Sequence, residues 1–212
     1  FLIYGTVVMF DFTVSMFVVL TLLALLSFVE KRQWKYVILM GLTIGMGVLA
    51  KGPVMYLYVL PVMLLAPLWR PDLPQRPGYY MACLAAVLLS IIPVLAWLIP
   101  VLMESSKDFA FWLVWNQTFG RVTGNFSASH VRPFYFYLPL IPVLCSPWLF
   151  FPAFWRGAGR IKNTMRADQG VRFLLCFMVP VFLAFFMISG KQEHYMVPLL
   201  PGAVILIALA LR

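Results

Sequence analysis

The sequence predicts an all-α integral membrane protein, a polytopic helical bundle of about seven spans. Three observations predict it. The 212-residue chain is 63% hydrophobic, with a mean hydropathy of +0.94. Only 11% of its residues are charged, against about a quarter in ordinary soluble domains. Its apolar runs approach the ~20 residues a helix needs to cross ~30 Å of hydrocarbon, and they lack the polar–apolar alternation of barrel strands.

The spans fall at about 12–29, 36–50, 53–69, 79–102, 135–155, 172–189 and 196–211. The first opens just after Asp11, where a carboxylate favours the positive end of a helix, and closes on Glu30-Lys31-Arg32-Gln33-Trp34-Lys35. Tyr36 to Ala50 and Val54 to Trp69 carry no charge, and Lys51-Gly52-Pro53 separates them. Gly52 frees the backbone to turn, and Pro53 cannot continue the upstream helix without loss. The polar stretch Arg70 to Arg76 precedes the fourth span. The following outer loop, 103–134, is too long for a simple connection. Its Phe109, Phe111, Trp112, Trp115 and Phe119 predict a helix lying in the membrane interface. After the fifth span comes a basic loop, 156–172, with Arg156, Arg160, Lys162, Arg166 and Arg172. The sixth and seventh spans are joined by the polar turn Ser189-Gly190-Lys191-Gln192-Glu193-His194-Tyr195.

Residues 1–212 thus read as one transmembrane domain. The chain opens on Phe1 without an initiator Met and closes on Leu211-Arg212, so a piece of a larger protein is expected. Eleven of the 16 Lys and Arg residues fall on one side of the seven spans, which the positive-inside rule makes cytoplasmic. The opposite side holds Asp11, Lys51, the loop 103–134 and the turn Lys191 to Tyr195. The net charge of +9 therefore reflects topology and contact with anionic lipid headgroups, with no nucleic acid implied. Cys83, Cys145 and Cys176 sit in separate apolar runs without a CxxC pair and read as small buried hydrophobes.

Four polar groups stand out on the outer side. A bare ammonium beside hydrocarbon costs at least a few kcal/mol, so Lys51 marks a candidate site. It reads either as a lysine snorkelling to headgroups or as a phosphate ligand. Asp11 reads as a first-turn carboxylate, as a group positioning a sugar, metal or cation, or as both. Arg121 and Arg132 flank His130 in the long loop; the arginines meet either lipid headgroups or a phosphate, and the histidine is either solvated or a ligand. The Lys191 turn is either an ordinary hydrophilic hairpin or a contributor, through Lys191 and Tyr195, to a site shared with Lys51. No nucleophilic triad, HExxH, Walker loop or dinucleotide fingerprint is present.

Three ordered motifs carry a resemblance across almost the whole chain. They are Asp11 with Gly41-Leu42…Gly45-Met46-Gly47-Val48-Leu49-Ala50-Lys51-Gly52-Pro53, then His130-x-Arg132-Pro133-Phe134-Tyr135-Phe136-Tyr137, then Gly190-Lys191-Gln192-x-His194-Tyr195-x-x-Pro198. In this pattern the chain resembles the membrane glycosyltransferases of the C-type fold that use polyprenyl-phosphate sugars. The nearest branch contains the bacterial aminoarabinose lipid A transferase and protein O-mannosyltransferase relatives. The resemblance implies transfer of a sugar from undecaprenyl phosphate to a lipid A, lipopolysaccharide-type or other outward-facing acceptor, on the periplasmic face of the bacterial inner membrane. It implies that Lys51 binds the lipid phosphate, with Arg121 and Lys191 as helpers, and that Tyr195 lines the carrier groove. Asp11 would match a second acidic position near sugar or acceptor. His130 would match a loop position able to join a divalent metal, the one cofactor implied, and that as an option. The family's main carboxylate base belongs to a first outer loop that would precede Phe1, so the piece alone is expected to be inactive. Asn116 replaces an acidic residue of the aminoarabinose branch, which leaves acceptor and metal open. A transporter or flippase for a lipid-linked substrate is the rival class. It would explain polar groups at helix breaks, but not their gathering on one face.

Overall fold

The computed structural model describes residues 10–73, 78–106, 132–139, 168–188 and 191–211, with Phe109, Trp112, Trp115, 141–142, Ser146, 150–152, 155–156 and Gly159 between them. Every regular element among the described residues is helical. In order they are α1 (Phe10–Lys31), α2 (Trp34–Lys51), α3 (Val54–Leu64), α4 (Ala66–Trp69), α5 (Tyr79–Glu104), a 3₁₀ turn (Phe134–Tyr137), α6 (Gln169–Met187), a 3₁₀ segment (Glu193–Leu199) and α7 (Leu200–Leu211).

Among the described residues four helices, α1, α2, α5 and α6, are long and apolar enough to cross a membrane, and the protein is an integral membrane protein. The expected third span is not one continuous helix. It breaks at Leu65 into α3 and α4 because Pro61 and Pro67 each remove a backbone donor. The seventh is a 3₁₀ segment running straight into α7, with Pro198 and Pro201 at the changeover. Of the fifth, only scattered residues after the 134–137 turn are described. The interfacial helix expected in 103–134 lies largely outside the described residues; Phe109, Trp112 and Trp115 within it are exposed. The 156–172 loop lies mostly outside them too.

Side-chain placement inverts the soluble rule. Leu88, Ile92, Trp97 and Met103 of α5 point outward, as lipid-facing residues do. The core between helices is formed by Val14, Val18 and Leu25 of α1, Val37, Met40 and Ile44 of α2, Tyr58 and Val62 of α3, and Phe177 and Val181 of α6. Cys83 and Cys176 are buried free thiols inside α5 and α6.

Three contacts set the register of the helices. First, α1 and α2 form an antiparallel hairpin locked by the buried pair Thr21–Thr43, whose hydroxyl oxygens are 2.8 Å apart. The hairpin turns at Arg32, a non-glycine residue with φ 56°, whose guanidinium lies over the Phe28 ring. Second, α2 meets α5 through Gly41 and Gly45. A Cβ on Gly41 would lie 2.6 Å from Leu89 Cβ, and one on Gly45 would lie 2.3 Å from Pro93 Cγ. Small residues four apart let two membrane helices approach backbone to backbone. Third, α6 runs antiparallel to α3 and α4. Phe173 packs edge-on to Trp69 at one end, with centroids 5.0 Å apart, and Phe185 packs on Tyr58 at the other, at 5.6 Å.

Candidate active site

Asp11 sits in the first turn of α1, and Lys51 is the last residue of α2. From the Thr21–Thr43 rung to these two, α1 steps back ten residues and α2 forward eight. The hairpin register therefore carries the carboxylate and the ammonium to the same end. There the Lys51 Nζ donates to Asp11 Oδ1 in an ion pair. Asp11 is only 4% exposed, so the pair sits at the edge of the packed interior.

The chain leaves this pair abruptly. Gly52 has φ 87° and ψ −167°, a region open essentially to glycine alone, and its N–H bonds to the Val48 carbonyl at 2.6 Å. Pro53 then caps α3. This geometry ends α2 on Lys51 and starts α3 three residues on, at Val54, as the Lys-Gly-Pro triplet predicts. The first turn of α3 is tied to α5 by Tyr56 and Ser90, whose hydroxyl oxygens are 2.7 Å apart.

The third contributor is the backbone between α6 and α7. His194 Nε2 lies 3.7 Å from Asp11 Oδ2, so the carboxylate faces an ammonium through one oxygen and an imidazole through the other. The Tyr195 ring lies beneath Lys51, with Nζ 4.3 Å from its centroid, a cation–π distance. Tyr195 also packs on Phe185 at 5.5 Å and meets the His194 ring edge-on at 5.2 Å. Asp11, Lys51, His194 and Tyr195 thus form one cluster drawn from three distant parts of the chain.

The remaining expected site residues fall differently. Lys191 is buried, 3% exposed, and its ammonium donates to the Ile188 carbonyl within its own turn. Burial pushes its pKa below the ordinary lysine value. Arg121 and His130 lie outside the described residues. His194 was part of a motif in the sequence without an assigned role; its signal was the second of two histidines, on the same face as Asp11. Tyr58 gave no sequence signal, and Tyr137 stood only as the end of the second motif without an assigned role, yet both touch the backbone that carries His194 and Tyr195. The Tyr58 hydroxyl donates to the Tyr195 carbonyl at 2.9 Å, and the Tyr137 hydroxyl to the Gln192 carbonyl at 3.2 Å.

A divalent metal fits this cluster poorly. Among the described residues no group of three or more His, Cys, Asp and Glu side chains gathers to hold one. The single carboxylate–imidazole pair already faces the Lys51 ammonium, which would repel a second cation.

Residues 1–97, which contain both Asp11 and Lys51, match the dolichyl-phosphate-mannose-protein mannosyltransferase family. The chain is also 36% identical over 174 residues to an undecaprenyl phosphate-alpha-4-amino-4-deoxy-L-arabinose arabinosyl transferase of Pseudomonas aeruginosa, a match covering 80% of this chain and 30% of that protein. The protein of the same description from Pseudomonas paraeruginosa is 36% identical over 79% of this chain and 29% of its own. That from an Enterobacter species is 31% identical over 81% of this chain and 30% of its own. The chain is thus similar to transferases whose descriptions name a dolichyl- or undecaprenyl-phosphate-linked sugar. It spans about 30% of the length of the curated relatives it matches. No solved structure matches it.

Proposed function

We propose that this chain is part of a glycosyltransferase of the bacterial inner membrane. The enzyme takes a sugar from an undecaprenyl phosphate donor and passes it, at the periplasmic face, to a lipid A, lipopolysaccharide-type or other outward-facing acceptor. The observation that carries the reading is the Asp11–Lys51–His194–Tyr195 cluster at one end of an apolar helical bundle. It is supported by relatives described as undecaprenyl phosphate-aminoarabinose arabinosyl transferases.

The chemistry suits the cluster. The bond from the anomeric carbon to the phosphate oxygen breaks, and a bond from that carbon to the acceptor hydroxyl oxygen forms. The acceptor proton passes to a carboxylate base, expected outside these 212 residues, and undecaprenyl phosphate departs with its bonding electron pair. Negative charge grows on the departing phosphate oxygen, and a cation fixed beside it lowers the barrier most at that moment. Lys51 is that cation. Asp11 holds it by one oxygen, and the Tyr195 ring supports it from below, so little reorganisation is needed when the phosphate arrives. Asp11 also stands where a sugar or acceptor hydroxyl would approach. Arg121 and Lys191 are the further candidates for the phosphate, and Tyr195 borders the carrier groove. His130 is the candidate for an optional metal in the outer loop. A flippase is disfavoured because the charged groups gather at one end of the helices instead of at mid-membrane.

Lys51→Ala in the full-length protein tests the assignment. Membrane insertion should be intact, with some loss of stability from the unpaired Asp11 carboxylate, while transfer of aminoarabinose from its undecaprenyl phosphate carrier to lipid A, per folded molecule, should fall below detection. Normal transfer by this variant would remove Lys51 from the phosphate site.

A further inference from the structure

We propose that Tyr58 and Tyr137 are positioning residues: their buried hydroxyls pin the two ends of the segment 192–195 and thereby fix His194 against Asp11 and the Tyr195 ring under Lys51. The proposal rests on the reading of the cluster as the phosphate-binding site.

The argument begins with burial. Tyr58 is 0% exposed and Tyr137 1%, deep among apolar side chains. A buried hydroxyl without a partner costs about 1–3 kcal/mol, so each must find an acceptor. Both find one on the same short piece of main chain, Tyr58 at the Tyr195 carbonyl and Tyr137 at the Gln192 carbonyl. That backbone is extended at Gln192 and 3₁₀ from Glu193 onward. The Gln192 carbonyl accepts from the Tyr195 N–H at 3.2 Å and takes the Tyr137 hydroxyl on its second lone pair, while Pro198 brings no N–H to the Tyr195 carbonyl, which takes the Tyr58 hydroxyl.

The two anchors come from different elements. Tyr58 stands on α3, two turns past Lys51, and Tyr137 closes the 3₁₀ turn at 134–137. Their rings converge on Phe185, Tyr58 at 5.6 Å and Tyr137 at 6.3 Å, and Phe185 in turn supports Tyr195. The aromatic packing thus holds the segment sideways while the two hydroxyls fix it along its length. Between the pinned ends, His194 and Tyr195 have one way to face Asp11 and Lys51. Each hydroxyl donates its hydrogen bond to the main chain of the segment, so their action is through the segment.

Tyr→Phe substitution isolates the effect, because it keeps every ring contact and deletes one donor. In full-length protein, with undecaprenyl phosphate-aminoarabinose as donor and purified lipid A as acceptor, Tyr58→Phe should lower kcat about tenfold. The Tyr58→Phe/Tyr137→Phe pair should lower it about a hundredfold. The donor KM should change less than about threefold, since both rings keep their packing and the donor's long lipid chain supplies most of its binding area, and the melting midpoint in detergent should fall by only a few degrees. That split is the signature, because a structural role would lower the melting midpoint and leave turnover per folded molecule unchanged. Unchanged kcat in both variants, or a loss that follows the melting midpoint, would overturn the positioning role. Lys51→Ala run alongside separates the two readings: if it retains transfer, the phosphate site itself is wrong; if it is inactive while the tyrosine variants are normal, only the positioning role fails.

Discussion

The middle of the α1–α2–α5 packing and the Asp11 end of the same helices are built from opposite materials. In the middle, contact is made by shape. Gly41 and Gly45 let α5 come down onto α2, Met40 and Ile44 are fully buried, and the buried threonines Thr21 and Thr43 bond to one another. At the end, contact is made by charge and by aromatic faces, through Asp11, Lys51, His194 and Tyr195. One helix serves both. Lys51 follows Gly45 by six residues, about 9 Å along α2 at 1.5 Å per residue. The close approach in the middle therefore fixes where the ammonium emerges. The polar end can be sparse because the apolar middle has already set its geometry.

The sharpest way to break that relation is to widen the middle. In Gly45→Ala the new methyl would stand 2.3 Å from Pro93 Cγ and 2.6 Å from the Ser90 carbonyl oxygen. Neither neighbour is a flexible side-chain end, so α5 must move off α2. Overpacking of this kind costs about 1–3 kcal/mol, or more when backbone is displaced. The variant should show the largest loss of monodisperse protein on detergent extraction, and what survives should transfer sugar poorly. Gly202→Ala is the matched control. Its methyl would meet Met178 Sδ at 3.0 Å, a flexible side chain that can turn aside, so its yield should be near the parent's.

The second way leaves the middle intact and unbalances the end. Asp11→Asn leaves the Lys51 ammonium at the edge of the core without its carboxylate. Removing one partner of a buried pair costs about 3–5 kcal/mol, while removing both is far milder. A cycle of Asp11→Asn, Lys51→Met and the double variant, read by chemical denaturation in detergent, should show the double variant more stable than either single one. Additive losses would mean that the two side chains do not depend on each other. All three variants should be inactive.

How much of this was legible follows the same division. The alternating charges between apolar runs gave the helix order, and the Lys-Gly-Pro triplet gave the end of α2, because glycine at a positive φ and proline are local constraints. Counting spans put Asp11, Lys51 and the 189–195 turn on one side, and the structure brings residues from all three into contact. The break at Leu65 was missed, since two prolines within an apolar run do not say whether the helix bends or stops. The partnership itself was also missed. Lys51 and Asp11 read as separate groups because their meeting depends on the hairpin register, and that register is set by Thr21, Thr43 and the turn at Arg32. The roles of Tyr58 and of Tyr137, the end of the second motif, were invisible for a plainer reason: their acceptors are main-chain carbonyls, which leave no trace in side-chain identity.

The gentlest test concerns Lys191, the lysine of the same turn that faces its own backbone. Its lowered pKa has burial as its cause, so the folded state gives up the proton at a lower pH than the unfolded chain does. Below the folded pKa both states hold the proton, and the folded one bears the cost of a buried charge. As pH rises from the folded pKa toward the unfolded value near 10.5, the unfolded state holds more protons and stability rises. Lys191→Met removes the charge and also the bond to the Ile188 carbonyl, two opposing changes, so its melting midpoint at neutral pH should lie near the parent's. The decisive measurement is the slope. Between neutral pH and 10.5 the difference in melting midpoint, parent minus Lys191→Met, should grow in the parent's favour. A difference that stays flat would show that this ammonium is solvated, and would return Lys191 to the set of cations free to meet a phosphate beside Lys51.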